Sequence, residues 1–254
     1  GNTYGTEYRC ELSTLPGYGV ITPGEWVIGD NYTFDGLAQN TKYYVRVRAR
    51  NGNNIETEAT VIGERYTLIG DPEGLAFTVH TTTVEVVATG DIINLDKGNS
   101  GIYFQNMTTS EVSEWKTQNY WVSGFAPFEL TANTTYQFTV KTKNGEGIQN
   151  EYINAVTTCT KIEDITGLIF ESSANNINAK PVNVAGLSNI SKGVSGWQIE
   201  IKDGVNDEIT NSEWTNSDIY ISSSGLMPNR VYKFRGRARN QMGRENGWSS
   251  VIWS

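Results

Sequence analysis

The chain has 254 residues, with 20 Lys plus Arg against 28 Asp plus Glu, a net charge of -8 and a pI of about 4.8. That surplus of negative charge repels phosphate backbones and excludes nucleic acid as an expected partner. No run approaches the ~18 consecutive apolar residues of a membrane helix, and Gly1 opens no charged-then-apolar leader.

Hydrophobic residues make up 37% of the chain, which suits several small cores better than one large one. The 25 Asn, 28 Thr and 18 Ser give a polar, weakly charged surface typical of turn-rich β proteins and compatible with secretion.

From the N-terminus, Tyr8 and Cys10 alternate on one side of a first predicted strand, and Gly24-Glu25-Trp26 follows. The run GLAQNTKYYVRVRARN from Gly36 then places Leu37, Asn40 and Tyr43 ahead of the alternating apolar positions Val45, Val47 and Ala49, and closes at Asn51. Arg46, Arg48 and Arg50 interleave, so the spacing predicts a strand with one buried and one wet face.

A block of Thr67, Ile69, Asp71, Gly74, Leu75 and Phe77 comes next and recurs as Thr160, Ile162, Asp164, Gly167, Leu168 and Phe170. The earlier signals recur as well. Ser113-Glu114-Trp115 precedes Leu130, Asn133, Tyr136 and Asn144; Ser212-Glu213-Trp214 precedes Leu226, Asn229, Tyr232 and Asn240. The aligned Leu residues are 93 and 96 positions apart. Module boundaries are therefore expected near 69 and 162, giving modules 1–68, 69–161 and 162–254, with no Pro-rich or Gly/Ser-rich linker at either joint.

The Leu-x-x-Asn-x-x-Tyr pattern, the strand behind it and the upstream Trp resemble the fibronectin type III family over nearly the whole chain. The resemblance implies an all-β chain of tandem antiparallel sandwiches. It makes Tyr43, Tyr136 and Tyr232 structural "tyrosine corners", each hydroxyl reaching back to the chain just upstream. In the third module it implies strand A at Leu168–Phe170, B at Ile177–Val184, C at Gly196–Ile201 and a hairpin turn at Lys202-Asp203-Gly204. The second module aligns poorly around 101–107 and Trp121, and the first has about 20 residues too few before Leu37, the length of strands A and B.

No catalytic constellation is expected. His80 is the only histidine, nucleotide-binding glycine motifs are absent, and no insertion interrupts the repeats to build a cleft. Cys10 and Cys159 are separated by an intact module and predict no intrachain disulfide. Asn31, Asn106, Asn133 and Asn189 satisfy the N-x-[ST] rule, about as many as composition supplies by chance, so they permit N-glycosylation without indicating it. Asp71 and Asp164 favour turn formation over a calcium site that would stiffen the joints, so no cofactor is expected. Trp26, Trp115 and Trp214 recur in register, which favours packing at the sandwich rim, and Trp248 is placed to stack on the Arg235, Arg237 and Arg239 row.

The resemblance points to a non-catalytic structural repeat segment of a bacterial or archaeal extracellular or cell-surface protein (surface layer, filament or adhesin stalk). Its expected partners are other copies of itself. The alternative is a carbohydrate-binding or spacer module of a secreted polysaccharide-acting enzyme, with glycans as partners of exposed aromatics.

Overall fold

The computed structural model describes residues 5–125, 129–173 and 175–253. Their secondary structure is all β apart from one short 3₁₀ turn at Val184–Gly186. All the paired strands are antiparallel.

The first four strands, β1 (Glu7–Ser13), β2 (Thr22–Pro23), β3 (Lys42–Arg50) and β4 (Thr60–Tyr66), form one sheet in the order β2-β1-β3-β4. The middle of the chain makes two sheets. β5 (Gly74–Val79), β6 (Val84–Thr89) and β9 (Tyr120–Ser123) pair in that order, and β7 (Gly101–Asn106), β8 (Val112–Lys116), β10 (Thr135–Lys143) and β11 (Val156–Cys159) pair as β11-β10-β7-β8. The last part repeats the plan. β12 (Leu168–Ser172), β13 (Ile177–Pro181) and β16 (Ile221–Ser223) face β14 (Gly196–Asp203), β15 (Ile209–Asn211), β17 (Tyr232–Arg239) and β18 (Ile252–Trp253).

Period-two alternation explains the cores. Phe138 and Val140 of β10 turn inward with Ile102 and Phe104 of β7 and meet Val84, Val86 and Trp121 of the opposing sheet. In the last sandwich Phe234 and Ala238 turn inward with Trp197 and Ile199, against Leu168 and Ala179. Gly236 stands where the second copy has Val140; a Cβ there would lie 3.0 Å from Ile165 Cγ2 and 3.3 Å from Leu168 Cδ2, so its missing side chain admits residues of the joint.

Three expectations change. The region 101–107 and Trp121 do follow the common plan, as a central strand and as the inward-facing residue of β9. The Lys202-Asp203-Gly204 hairpin is a longer loop, in which Asp203 Oδ1 accepts the Val205 N–H at 2.8 Å and the positive φ of 61° falls on Asp207 instead of Gly204. The first module lacks an E strand as well as A and B among its described residues. The reason is pairing: β9 and β16 each hydrogen-bond to a B strand, and residues 27–35 have no such neighbour.

Candidate functional site: module joints and the faces of the first sheet

The aligned tyrosines sit at the start of the third strand of each four-stranded sheet. Tyr43 Oη accepts the Ala38 N–H at 3.1 Å, Tyr136 the Thr131 N–H at 2.9 Å, and Tyr232 the Met227 N–H at 2.9 Å. Each bond fixes the loop carrying the aligned asparagine. Asn40, Asn133 and Asn229 all take left-handed backbone, φ 44°, 48° and 59°, which asparagine tolerates better than most residues.

This loop turns the side chains of Asn40 and Asn133 into the next module. Asn40 Oδ1 accepts the Gly145 N–H at 2.7 Å, and its amide donates to Asn94 O at 2.6 Å. Asn133 repeats the arrangement: Oδ1 accepts the Gln241 N–H at 2.7 Å, and the amide donates to Ser188 O, Asn189 O and Ser195 Oγ at 2.9, 3.0 and 2.9 Å. Both side chains are wholly buried.

The next module answers with asparagines of its own. Asn94 donates its amide to Gln39 O at 3.0 Å, and Asn189 donates to Thr134 Oγ1 at 3.0 Å. Asn144 and Asn240 use their side-chain oxygens to close their own turns and their amides to reach Thr67 O at 3.2 Å and Thr160 O at 3.0 Å. Asn150 and Asn246 bind Ile69 O and Ile162 O at 3.2 and 2.7 Å. Ile69 and Ile162 are themselves buried in the core that follows them. No free linker intervenes, so bending a joint breaks buried hydrogen bonds and withdraws an isoleucine.

The first joint has an added clamp. Glu146 accepts the Tyr66 N–H at 3.1 Å and pairs with Arg65 at 3.2 Å. The Tyr66 ring lies so close over Gly145 that a Cβ there would come within 2.4 Å of it.

The repeat tryptophans lie on the outer face of the four-stranded sheets, over the cationic rows. Trp26 stacks with Arg9 and Arg50 at 4.7 and 4.5 Å, Trp115 with Lys143 at 4.4 Å, and Trp214 with Arg239 at 4.4 Å. Trp248 stacks with Arg235 and Arg237 at 4.9 and 4.3 Å, and Tyr152, at the aligned position, stacks with Lys141 at 4.4 Å. Each repeat Trp thus has its ring face occupied by a protein cation, while among the described side chains the core tryptophans are Trp121 and Trp197.

On the first sheet the outer face centres on Glu11, whose side chain is 5% exposed. Burial alone would raise its carboxyl, but Arg46 Nε at 2.6 Å, with Arg48 and Arg9 beyond, outweighs burial and holds it below the usual carboxylate range. The inner face is open: Tyr8, Cys10, Val27, Ile28, Val47 and Ile62 line a groove of about 750 Å³, and Ile28 and Ile62 are 78% and 61% exposed.

The glycosylation motifs separate by burial. Asn106 and Asn133 are wholly buried with engaged amides and are closed to modification in the folded chain; Asn189 is exposed but clasped in the second joint. Asn31 is exposed, its amide 3.4 Å from Asp30. Asp164 Oδ1 accepts the Asn246 amide at 2.8 Å, and Asp71 lies exposed at the first joint. Among the described residues no three His, Cys, Asp or Glu side chains are grouped to hold a metal ion. Both cysteines are free, and exposed His80 follows β5 in a turn closed by its N–H to Thr83 O at 2.9 Å.

Reading the sequence singled out Asn40, Asn51 and their copies as recurring positions but missed the joint role of Asn94, Asn150 and Asn246. The pair Asn150 and Asn246 keeps the 96-residue offset of Asn144 and Asn240; Thr57 in the first copy breaks the three-way match.

No protein-family model matches the chain. Among solved structures it is similar to the FN1-FN3 domains of chicken CNTN1, at a TM-score of 0.35 and 14% identity over 98% of this chain and 87% of that one. It is also similar to a two fibronectin type-III domain segment from chicken tenascin, at a TM-score of 0.42 and 11% identity over 73% of this chain and 98% of that one. Both neighbours are fibronectin type III tandems; the fold class, tandem antiparallel β-sandwiches of that type, is read from the strand order given above.

Proposed function

We propose that the chain is a non-catalytic, semi-rigid structural segment of an extracellular surface protein, bacterial or archaeal, such as a surface layer, a filament or an adhesin stalk. The observation that carries this reading is the pair of joints, in which the same asparagine contacts are made twice without a linker. A chain built this way transmits position along its length, which suits a spacer better than a catalyst. Covered tryptophan faces favour it over glycan capture by stacking.

Self-association belongs to the same reading. The open apolar face of the first sheet is an association surface, and the ion-paired rows on the outer faces add salt-sensitive lateral contacts. Electron microscopy of the native material and sedimentation of the 254-residue chain test the reading. Ordered sheets or filaments are expected; a protein that stays monomeric at every near-physiological salt concentration overturns the self-association.

A further inference from the structure

The joint asparagine occurs three times and is engaged twice. Asn40 and Asn133 are wholly buried between modules, whereas Asn229, with the same left-handed backbone, is exposed and has no hydrogen bond to another described residue. Its loop is held as the other two are, by the Met227 N–H on Tyr232 Oη at 2.9 Å. The side chain is therefore preorganised for contacts it does not make within this chain.

We infer that the loop from Gly225 to Arg230 is a docking surface for the leading end of a further complete module of this type. The chemistry of the partner is given by the two filled joints. It must offer a turn N–H directly after an asparagine, as Gly145 and Gln241 do, and carbonyl acceptors on the loop between its second and third strands, as Asn94, Ser188 and Asn189 do.

The occupant is covalently tethered. Asn40 N–H donates to Leu68 O and Asn133 N–H to Lys161 O, each at 3.0 Å and each 28 positions along the chain, so the same strand that closes one module delivers the next. A few hydrogen bonds do not offset the translational freedom lost by a free partner, whereas a short tether supplies a millimolar effective concentration. This inference rests on the spacer reading and adds to it a third joint of defined chemistry.

The test uses the whole chain followed directly by a second copy of residues 159–254, which puts the copy of Lys161 28 positions after Asn229. Hydrogen exchange is read at the amide of Gln241 and at the amide of its copy. Both are expected to be protected. Asn229→Ala should speed exchange at the copied turn by about tenfold or more and leave Gln241 itself unchanged. Asn133→Ala should do the reverse, and Asn229→Asp, which keeps an acceptor for the turn N–H, should retain much of the protection at the copy.

Fast exchange at the copy with Gln241 protected overturns the inference alone, as does protection indifferent to Asn229→Ala. Fast exchange at both amides overturns the semi-rigid spacer reading and this inference with it. Protection of Gly52 when two unextended chains are mixed, lost on Asn229→Ala, reassigns the surface to contacts between copies and overturns the tethered occupant.

Discussion

Asn133 and Gln241 lie 108 positions apart in the chain and meet at 2.7 Å, side-chain oxygen to backbone N–H, at a contact between two sandwiches in which Asn133 is wholly buried and Gln241 half-buried. Asn40 and Gly145 make the same contact at the same distance one module earlier. Asn133→Ala strands the Gln241 N–H and three acceptors and leaves alanine in left-handed backbone. It should cost about 2–4 kcal/mol of coupling between the second and third modules. Denaturant unfolding checks this: the wild type should unfold its last two modules together, and the variant in two separable steps.

The corner tyrosines give a second expectation. Tyr136→Phe or Tyr232→Phe should destabilise its own module by ~1–2 kcal/mol, because each removes the acceptor of a loop N–H beside buried ring atoms. Tyr43→Phe should cost less, since its bond is longer and the sheet around it is half open. Unchanged unfolding midpoints for the Tyr136 and Tyr232 variants would remove the structural role assigned to the motif.

Alternation along β3, β10 and β17 was enough to predict strands, and the Leu-to-Tyr spacing picked out the residues that make the corner hydrogen bonds. These are local signals, set by side-chain direction and loop chemistry within about ten residues. The joint was less legible because its partners come from separate loops. Asn94 and Asn189 are 95 positions apart while their modules are offset by 93 or 96, so loop-length differences take them out of register. The tryptophans were legible in part: recurrence marked Trp26, Trp115 and Trp214 for packing at the rim, and they pack on cations of the outer face, whereas the buried rings Trp121 and Trp197 stand on different strands of the plan, β9 and β14, and leave no recurring signal.

Gly236 offers a test of packing at the second joint. A valine there would drive methyl groups into Ile165 and Leu168, whose carbons already stand 3.0 and 3.3 Å from the Cβ position. Gly236→Val should destabilise the last sandwich by about 1–3 kcal/mol, and Gly236→Val with Ile165→Ala should recover part of the loss in a double-mutant cycle. Additive effects of the two changes would show that they do not share this space.

The two cysteines report on the open face. Cys159 is 3% exposed, and burial pushes its thiol up, partly countered by hydrogen bonds from the Gln241 segment. Cys10 lies half-buried in the groove of the first sheet. A maleimide reagent at neutral pH should label Cys10 well ahead of Cys159 in the dilute chain, and self-association through that face should slow Cys10 labelling as concentration rises. The same open face predicts that residues 1–68 made alone give no cooperative melt, since their described residues form one sheet with none opposite it, whereas residues 162–254 should melt cooperatively.

Glu11 sets the response of the first sheet to acid. Its carboxyl is held below the ordinary value of 4.5 by Arg46, Arg48 and Arg9 against the opposing effect of burial. A folded-state pKa below the unfolded one means that the charged form favours folding. The contribution is fully present above about pH 4.5 and is lost as pH falls through the lower folded value. Protonating Glu11 also leaves three arginines around a neutral, nearly buried group, so the sheet should open before the later sandwiches do. Carboxyl chemical shifts of the full chain followed from pH 6 down to about pH 2 should give a Glu11 midpoint below those of solvent-exposed glutamates. Amides of β1 and β3 should lose protection in step with it. Glu11→Gln should be less stable at neutral pH and lack this acid-dependent step; a Glu11 midpoint at or above the ordinary glutamate value would contradict the arginine-dominated site.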